Sequence, residues 1–384
     1  MTLHFLRRTL TSFSLKHESS NFINLPNFPF FSTQVTQIEK PNCEFTNYLI
    51  THHNFSQKNA SKTATCLTPD YKNSDLVLGF LKSKGISGTQ LEELVVRHPR
   101  VLAVDINKSV GVKVSRIKDL GFSDDELVDL LCSVPIILTL SRSVERVVLA
   151  ISVLQSILGS NCDVIKLLKL CNWFLNNDLD KSLLPNIQLM EKCGISKLQI
   201  RQTLLSFPRF FLVQPDFMKD CMRRVDSLGL GRNSKMYIHG VRAVSSMTLE
   251  KWASKVKLFE TLGFREDDIL SMFQRTPQVL TISERKILEV SKLFLSSGSV
   301  DVSYLVQHSE LLIYSAAFRI KPRLDIINVL LSKNLLHKEP RPTTLCKISD
   351  KKFIEKFVLP YASEIGDIGK KFLVSTGFGS SFGI

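Results

Sequence analysis

The chain lacks the residue patterns that mark metal sites and membrane spans. It has eight cysteines in 384 residues, but none forms a C-x-x-C pair and no histidine cluster accompanies them. A structural metal needs several thiolates or imidazoles that converge on one point, so we expect no metal site. No apolar run reaches the roughly 18 residues that a spanning helix requires. The nearest, Val147–Leu158, is interrupted by polar residues, so we expect no membrane insertion.

Motifs typical of enzymes are also missing. The sequence has no Gly-rich phosphate loop, no nucleophile elbow and no paired ligand spacing for a catalytic metal. The lone histidine His98 directly precedes a proline and is explained as a structural residue. We therefore predict that the protein is not an enzyme, and that it has no catalytic residues and no cofactor.

Acidic residues are scarce at the N-terminus. Residues 1–38 contain one acid, Glu18, beside Arg7, Arg8, Lys16 and many hydroxyl side chains. A basic, hydroxyl-rich and acid-poor leader is typical of an organellar transit peptide. The early arginines and the amphipathic pattern favour the mitochondrion, with the chloroplast as the alternative. Residues 39–74 are rich in Asn, Thr and Lys, and this composition predicts a polar linker.

Acids are scarce again in residues 192–257. This segment carries 13 basic and 4 acidic residues, whereas residues 71–190 carry 14 and 13, in a chain of net charge +14. Such a concentration favours a surface for an acidic partner, although a solvated lysine-rich exterior is the alternative. We predict phosphate contacts from Arg201, Arg209, Arg223, Arg224, Arg242, Lys255 and Lys257.

A further basic group follows near the end of the repetitive region. Arg319, Lys321 and Arg323 surround Pro322, and they could either contact phosphate or decorate a helix terminus. Trp173 and Trp252 could stack on bases, but in a helical repeat they are more typical of core residues.

Glycines and prolines recur at fixed intervals and indicate an internal repeat. Each key glycine ends a helix-like apolar pattern and precedes an apolar residue, which is typical of a left-handed helix end. Fourteen residues after most of these glycines stands a proline, which stops the next helix. The glycines are Gly85, Gly121, Gly194, Gly229 and Gly263, and the prolines are Pro99, Pro135, Pro208 and Pro277.

The repeat period predicts the fold class. Asn172, Ala243 and Ser309 take the proline place in three less regular units, which gives about seven units of roughly 35 residues. Ser87, Ser123 and Ser196 open helices as capping boxes. We predict an all-α protein, an α-solenoid array over residues 75–338. Residues 339–384 are predicted to form a C-terminal helix and a flexible tail.

These units resemble the mitochondrial transcription termination factor (mTERF) family. The resemblance rests on DLGFSDDELVDLLCSVPIIL (119–138), TLGFREDDILSMFQRTPQVLTISERKI (261–287) and LLIYSAAFRIKPR (311–323). It covers about residues 75–335 and departs from the family pattern at the three missing prolines. The resemblance implies a curved half-ring of helical units, an organellar location and nucleic-acid binding in gene expression, on DNA in some members and on RNA in others.

The function predicted from these observations is regulation of organellar gene expression through nucleic-acid binding. Basic residues recur on the second helices, with Lys113 and Lys255 each eight residues before a glycine, and could follow a phosphate backbone. We expect double-stranded DNA binding in transcription termination or regulation. RNA binding in intron splicing or ribosome assembly, and a protein-binding scaffold, remain alternatives. The expected partners are organellar DNA or RNA and transcription or splicing proteins, and we expect a monomer.

Overall fold

The computed structural model describes residues 42–66, 70–296 and 300–378. Every regular element in these ranges is a helix, which confirms the predicted all-α repeat class. The described residues group into two compact units, 42–219 and 220–378. The predicted transit peptide, 1–38, lies outside the described residues.

The unit 42–219 consists of α-helices linked by short 3-10 and π turns. Its α-helices are Cys43–His53, Gln57–Ala64, Tyr71–Ser83, Gly88–Arg97, Gly111–Lys118, Asp124–Ser133, Ile136–Thr139, Val144–Leu158, Asn161–Leu170, Leu183–Lys192 and Lys197–Ser206. Its 3-10 helices are Pro99–Ala103, Asn172–Leu175 and Pro208–Leu212, and a π turn spans Ile106–Val110. The helix Pro215–Ser227 crosses the boundary between the units.

The unit 220–378 is built in the same way. Its α-helices are Tyr237–Ser245, Leu249–Thr261, Glu266–Arg275, Glu284–Leu295, Val302–Gln307, Lys321–Ser332, Pro342–Lys347, Asp350–Phe353 and Ala362–Ser375. Its 3-10 helices are Pro277–Leu280, Ser309–Ile313 and Leu359–Tyr361, and π turns span Ala316–Ile320 and Ile354–Val358.

The repeat glycines end helices in the left-handed conformation, as predicted. Gly121 has φ +90° and Gly263 has φ +91°, and the residue after each is buried. The predicted capping boxes are only partly present. Ser123 and Glu126 form a full box, Ser196 accepts one backbone hydrogen bond, and Ser87 makes no side-chain cap.

Substitution of Gly121 tests this register. A Cβ at Gly121 would meet no other atom within 4 Å, so the cost of adding one is backbone strain alone. Gly121→Ala should lower the free energy of unfolding by roughly 1–2 kcal/mol. Gly79→Ala has equally open space but lies inside a helix, and should raise stability by up to about 1 kcal/mol. If urea titrations showed that both substitutions change the free energy of unfolding in the same direction, the assigned register would be contradicted.

Three of the four repeat prolines open short 3-10 helices rather than merely ending the helix before them, and the fourth, Pro135, is the N-cap of the short α-helix Ile136–Thr139. Pro99, Pro208 and Pro277 are each the first residue of such a turn. Asn172 and Ser309 open equivalent turns without proline. Burial of the apolar residues that follow is therefore sufficient to hold this geometry. Ala243 differs, because it lies inside the helix Tyr237–Ser245.

The linker predicted for residues 39–74 is wrong over 43–64, where the structure has two helices. Their few apolar residues are nearly all used, since Phe45, Leu49, Phe55 and Ala60 are buried. The Ser56 backbone N–H also donates to the Glu92 carboxylate at 2.7 Å, which fastens this segment to the repeat array. The linker prediction failed because each helix has an apolar face of only two or three residues, which the high polar content of the sequence does not reveal.

The end of the chain packs as a small helical core. Phe353, Phe357 and Phe372 are buried against Ile326 and Leu330 of the last long repeat helix. The region predicted as one C-terminal helix and a tail therefore contains several packed helices up to residue 378. Residues 379–384 of the predicted tail lie outside the described residues.

Neither a metal cluster nor a single spanning helix occurs in the part of the chain that the structure describes. No three potential ligands among His, Cys, Asp and Glu converge there. No single helix in the same ranges is long and apolar enough to cross a membrane. Val144–Leu158 and Asn161–Leu170 reach that length and composition only together, across a 116° bend.

Candidate nucleic-acid interface

The basic residues of the segment 192–257 lie mostly at the surface. Of the 13, nine are exposed, three are half-buried and one is buried. Three of the four acids in the segment are neutralised by nearby cations, in the pairs Lys219–Asp216, Arg223–Asp220 and Arg232–Asp226. The surplus charge is carried by other exposed cations, and those for which the described part of the chain has no ion pair include Lys192, Lys197, Arg209, Lys251 and Lys257.

Arg201 is held by an acid of the preceding repeat. Its guanidinium pairs with Asp163, whose carboxylate also accepts a hydrogen bond from Lys166 at 3.4 Å. The hydrogen bond from Arg201 is the main reason that the pKa of Asp163 lies below its usual value. Arg201 therefore links two repeats, and any phosphate contact would compete with this ion pair.

The Arg201–Asp163 pair predicts an acid-sensitive contribution to stability. Because the folded-state pKa of Asp163 is lowered, its stabilisation is present above the unfolded value of about 3.9 and is lost as the pH falls through the folded value. Asp163→Asn should lower the melting temperature at pH 7, and the difference from wild type should shrink below about pH 4. Asp180→Asn, at an exposed acid, is the control and should change little at either pH. A difference independent of pH would contradict this assignment.

Arg209 presents its charge over an aromatic ring. Its guanidinium carbon lies 4.4 Å from the ring centroid of Trp173, in a cation–π contact between two successive 3-10 turns. Arg209 is exposed and Trp173 is half-buried, so Trp173 is not the fully buried core residue that its sequence position suggested. Trp252 is buried as expected, against Phe273.

Arg223, Arg224 and Arg242 differ in how far they reach solvent. Arg223 is exposed and pairs with Asp220 one turn earlier on its own helix. Arg224 and Arg242 are half-buried, and desolvation lowers the pKa of each guanidinium. Neighbours on a helix point about 100° apart, so the side chains of Arg223 and Arg224 leave the helix in different directions. Of these three predicted contacts, Arg223 is the one directed at solvent.

Lys255 was predicted to contact phosphate, and the structure places it in the interior instead. Its ammonium donates hydrogen bonds to the carbonyl oxygens of Leu280 and Ile282, at 2.6 and 2.7 Å. These carbonyls end the 3-10 turn of the following repeat, where backbone acceptors lack helical partners. Lys257, two residues later, is exposed.

The basic group at 319–323 also requires correction. Arg323 is only 1% exposed and donates to the carbonyl oxygens of Leu345 and Ile348, besides pairing with Asp350. Arg319 donates to the carbonyls of Cys346 and Ile348, each at 2.8 Å. These two arginines fasten the C-terminal helices to the last repeat. Lys321 alone of the three is exposed.

Lys255 belongs to a recurring set of donors that was not recognised from the sequence. Side chains on the second helices donate to carbonyl oxygens at the end of the next short turn or short helix. Asn186 donates to Phe211 and Val213 at 3.0 and 2.7 Å, across the same sequence separations of 25 and 27 residues that Lys255 spans. The set, named here the carbonyl clamps, is Asn73, Lys113, Asn186, Lys255, Lys286 and Arg323.

The clamps explain why basic residues recur on the second helices. Lys113 and Lys255 recur eight residues before a glycine, and Asn186 occupies the same place in its repeat. Because a neutral amide serves as well as an ammonium, the position requires a hydrogen-bond donor and not a positive charge. This recurrence is therefore a packing signal, and its interpretation as a phosphate-tracking face is wrong for Lys113 and Lys255.

The mTERF sequence profile matches residues 72–354, which is more than half of the chain. The chain belongs to the mTERF family. It is 22% identical over 251 residues to an Arabidopsis thaliana protein named "Transcription termination factor MTERF8, chloroplastic", an alignment that covers 65% of this chain and 49% of the relative. The chain thus spans about half the length of that relative.

Proposed function

We propose that this mTERF protein binds double-stranded DNA in an organelle and regulates transcription there, with termination as the first step to test. The observation that carries the proposal is the exposed positive surplus of residues 192–257, in which nine of 13 cations reach solvent. In each of the two units, exposed cations gain affinity for a phosphate backbone by releasing counterions. After the structural correction, the cations that carry the proposal are Lys192, Lys197, Arg209, Arg223, Lys251 and Lys257.

Crosslinking in intact organelles, followed by sequencing of the bound nucleic acid, tests the proposed target. Enrichment of discrete duplex DNA positions, with transcript ends nearby, would support a role in termination. Recovery of RNA from introns or ribosomal RNA instead would replace DNA by the RNA alternative. Recovery of neither nucleic acid above background would reject the proposal and leave the protein-binding scaffold as the function to examine.

For the location, two observations favour different organelles. The early arginines of the leader favour the mitochondrion, whereas the name of the Arabidopsis relative places that protein in the chloroplast. We propose the chloroplast as the organelle to test first, because the homologue is independent of the leader's composition. A fluorescent fusion of the full chain that accumulates only in mitochondria would overturn this choice.

A further inference from the structure

One repeat of the unit 42–219 lacks a carbonyl clamp. Second helices of three other repeats in this unit have one, and these clamps are Asn73, Lys113 and Asn186. The next short turn after the second helix Val144–Leu158 is Asn172–Leu175. In the described part of the chain, no side chain of this helix donates to a carbonyl oxygen at the end of that turn. The repeat therefore has the acceptors of a clamp but not the donor.

Ala150 lies where the missing donor would be. Twenty-two residues before the proline place of the next turn stand the clamps Lys113, Asn186 and Lys255. Twenty-two residues before Asn172 stands Ala150, whose methyl group cannot donate a hydrogen bond. The register is counted from the turn, because Gly159 lies 13 residues before Asn172 whereas the other repeat glycines lie 14 before theirs.

The acceptors that a clamp at Ala150 would reach are the carbonyl oxygens of Leu175 and Asn177. They lie 25 and 27 residues further along the chain, which are the separations that Asn186 and Lys255 span. Among the described residues, no side chain donates to either oxygen. A backbone carbonyl at a turn end is a strong acceptor, so this place suits a donor that comes from outside the chain.

A cavity of about 220 Å³ opens at this position. Its apolar wall consists of Leu149, Ala150, Val153 and Leu179, and its polar wall of Arg142, Arg146, Asn177, Asp178 and Asp180. Sites for drug-sized ligands measure about 300–1,000 Å³. The smaller volume limits the occupant to a small molecule.

The cavity has charges of both signs that do not pair with one another. Arg142 and Arg146 come from the start of the helix Val144–Leu158, and Asp178 and Asp180 follow the turn Asn172–Leu175. In the described ranges neither arginine forms an ion pair, nor does Asp180. Asp178 pairs with the exposed Lys181, at 3.5 Å. Both kinds of charge are thus available to a ligand that has a cationic and an anionic end.

We propose that this cavity binds a free basic amino acid such as arginine or lysine. The other clamps show which groups such turn-end carbonyls accept, namely the ammonium of Lys113, the amide of Asn186 and the guanidinium of Arg323. The cationic side chain of the ligand takes the place of the missing clamp, beside two aspartates. Its α-carboxylate contacts the two arginines, whose planar groups suit carboxylates.

The bound amino acid would join the helix Val144–Leu158 to the following turn, as the clamps do within the chain. Because only the folded repeat has the cavity, its stability should rise with the ligand concentration. The inference does not depend on nucleic-acid binding, so the two proposals can fail separately.

The test titrates the full chain with L-arginine, L-lysine and agmatine by isothermal calorimetry. L-arginine or L-lysine should bind with a dissociation constant of roughly 1 mM, as expected for a ligand of this size. Agmatine keeps the guanidinium but lacks the carboxylate, and should bind roughly tenfold more weakly than L-arginine. Absence of binding by both amino acids up to roughly 10 mM would overturn the proposal. Equal affinity for agmatine and L-arginine would overturn the role of the arginines.

Variants at Ala150 locate the binding. Ala150→Asn supplies the donor that Asn186 provides in its own repeat, and should raise the melting temperature of the free protein by roughly 2–4 °C while abolishing binding. Ala150→Leu fills the same space without a donor, and should abolish binding without this gain. Unchanged affinity for L-arginine in Ala150→Asn would place the binding elsewhere and overturn the proposal.

A surface variant gives the test a second arm that does not depend on packing. Arg146 is exposed, so Arg146→Gln should fold as wild type does. It should weaken L-arginine binding roughly tenfold and leave agmatine binding unchanged. Arg116→Gln removes an exposed arginine from another second helix and is the matched control, with unchanged affinity for both ligands. Equal weakening by Arg146→Gln and Arg116→Gln would show an effect of net charge and contradict the assigned site.

Discussion

Lys255→Met should lower the free energy of unfolding by about 2–5 kcal/mol. The substitution keeps most of the apolar stem but removes the ammonium, which donates to the Leu280 and Ile282 carbonyls. Those two acceptors would be left buried without a donor, and each such group costs about 1–3 kcal/mol. Chemical denaturation followed by circular dichroism gives the measurement.

Lys257→Met is the matched control, because it makes the same chemical change two residues away on the same helix. Lys257 is exposed, so its loss should change stability by no more than about 0.5 kcal/mol. Lys113→Met, in the other unit, should behave like Lys255→Met, since its ammonium donates to the carbonyls of Ile137 and Leu140, both at 2.9 Å. Similar stabilities for Lys255→Met and Lys257→Met would refute the clamp.

The repeat register was predictable from sequence because its signals are local. A glycine such as Gly121 and a proline such as Pro277 each act through their own backbone, whatever surrounds them. The same reasoning failed at Ala243, where the helix continues through the place of the missing proline. It also failed over residues 43–64, because only the tertiary fold shows that Phe45 and Leu49 suffice to bury a face.

The site was less predictable because one lysine or arginine side chain supplies both a positive charge and hydrogen-bond donors. The sequence does not show which of the two the fold uses. Lys255 and Lys257 look alike in the amino-acid sequence, yet one is buried among carbonyls and the other faces solvent. The two lysines differ because of long-range contacts, since the carbonyl acceptors of Lys255 lie 25 and 27 residues further along the chain. Asn186 occupies the same place in its repeat and is neutral. It indicates that this position requires a hydrogen-bond donor and not a positive charge.

Reversal of exposed cations in the segment 192–257 should weaken nucleic-acid binding and flatten its salt dependence. If about six of the exposed cations bind phosphate, wild-type affinity should fall roughly a thousandfold between 50 and 200 mM salt. Lys251→Glu with Lys257→Glu removes two candidate phosphate ligands, neither of which is a clamp. The logarithmic salt slope should then decrease by about 0.9 for each phosphate that is no longer bound, with all sequences affected alike.

The control variant for this charge reversal has the same change in net charge at a different part of the chain. Arg116→Glu with Lys169→Glu also replaces two exposed cations, within the nearly neutral segment 71–190. A general effect of net charge would weaken both double variants equally, whereas a defined surface would leave the control close to wild type in slope. Equal slopes for all three proteins would remove Lys251 and Lys257 from the interface. A weakening confined to the Lys251 and Lys257 variant, with its helicity intact, would assign phosphate binding to the helix Leu249–Thr261.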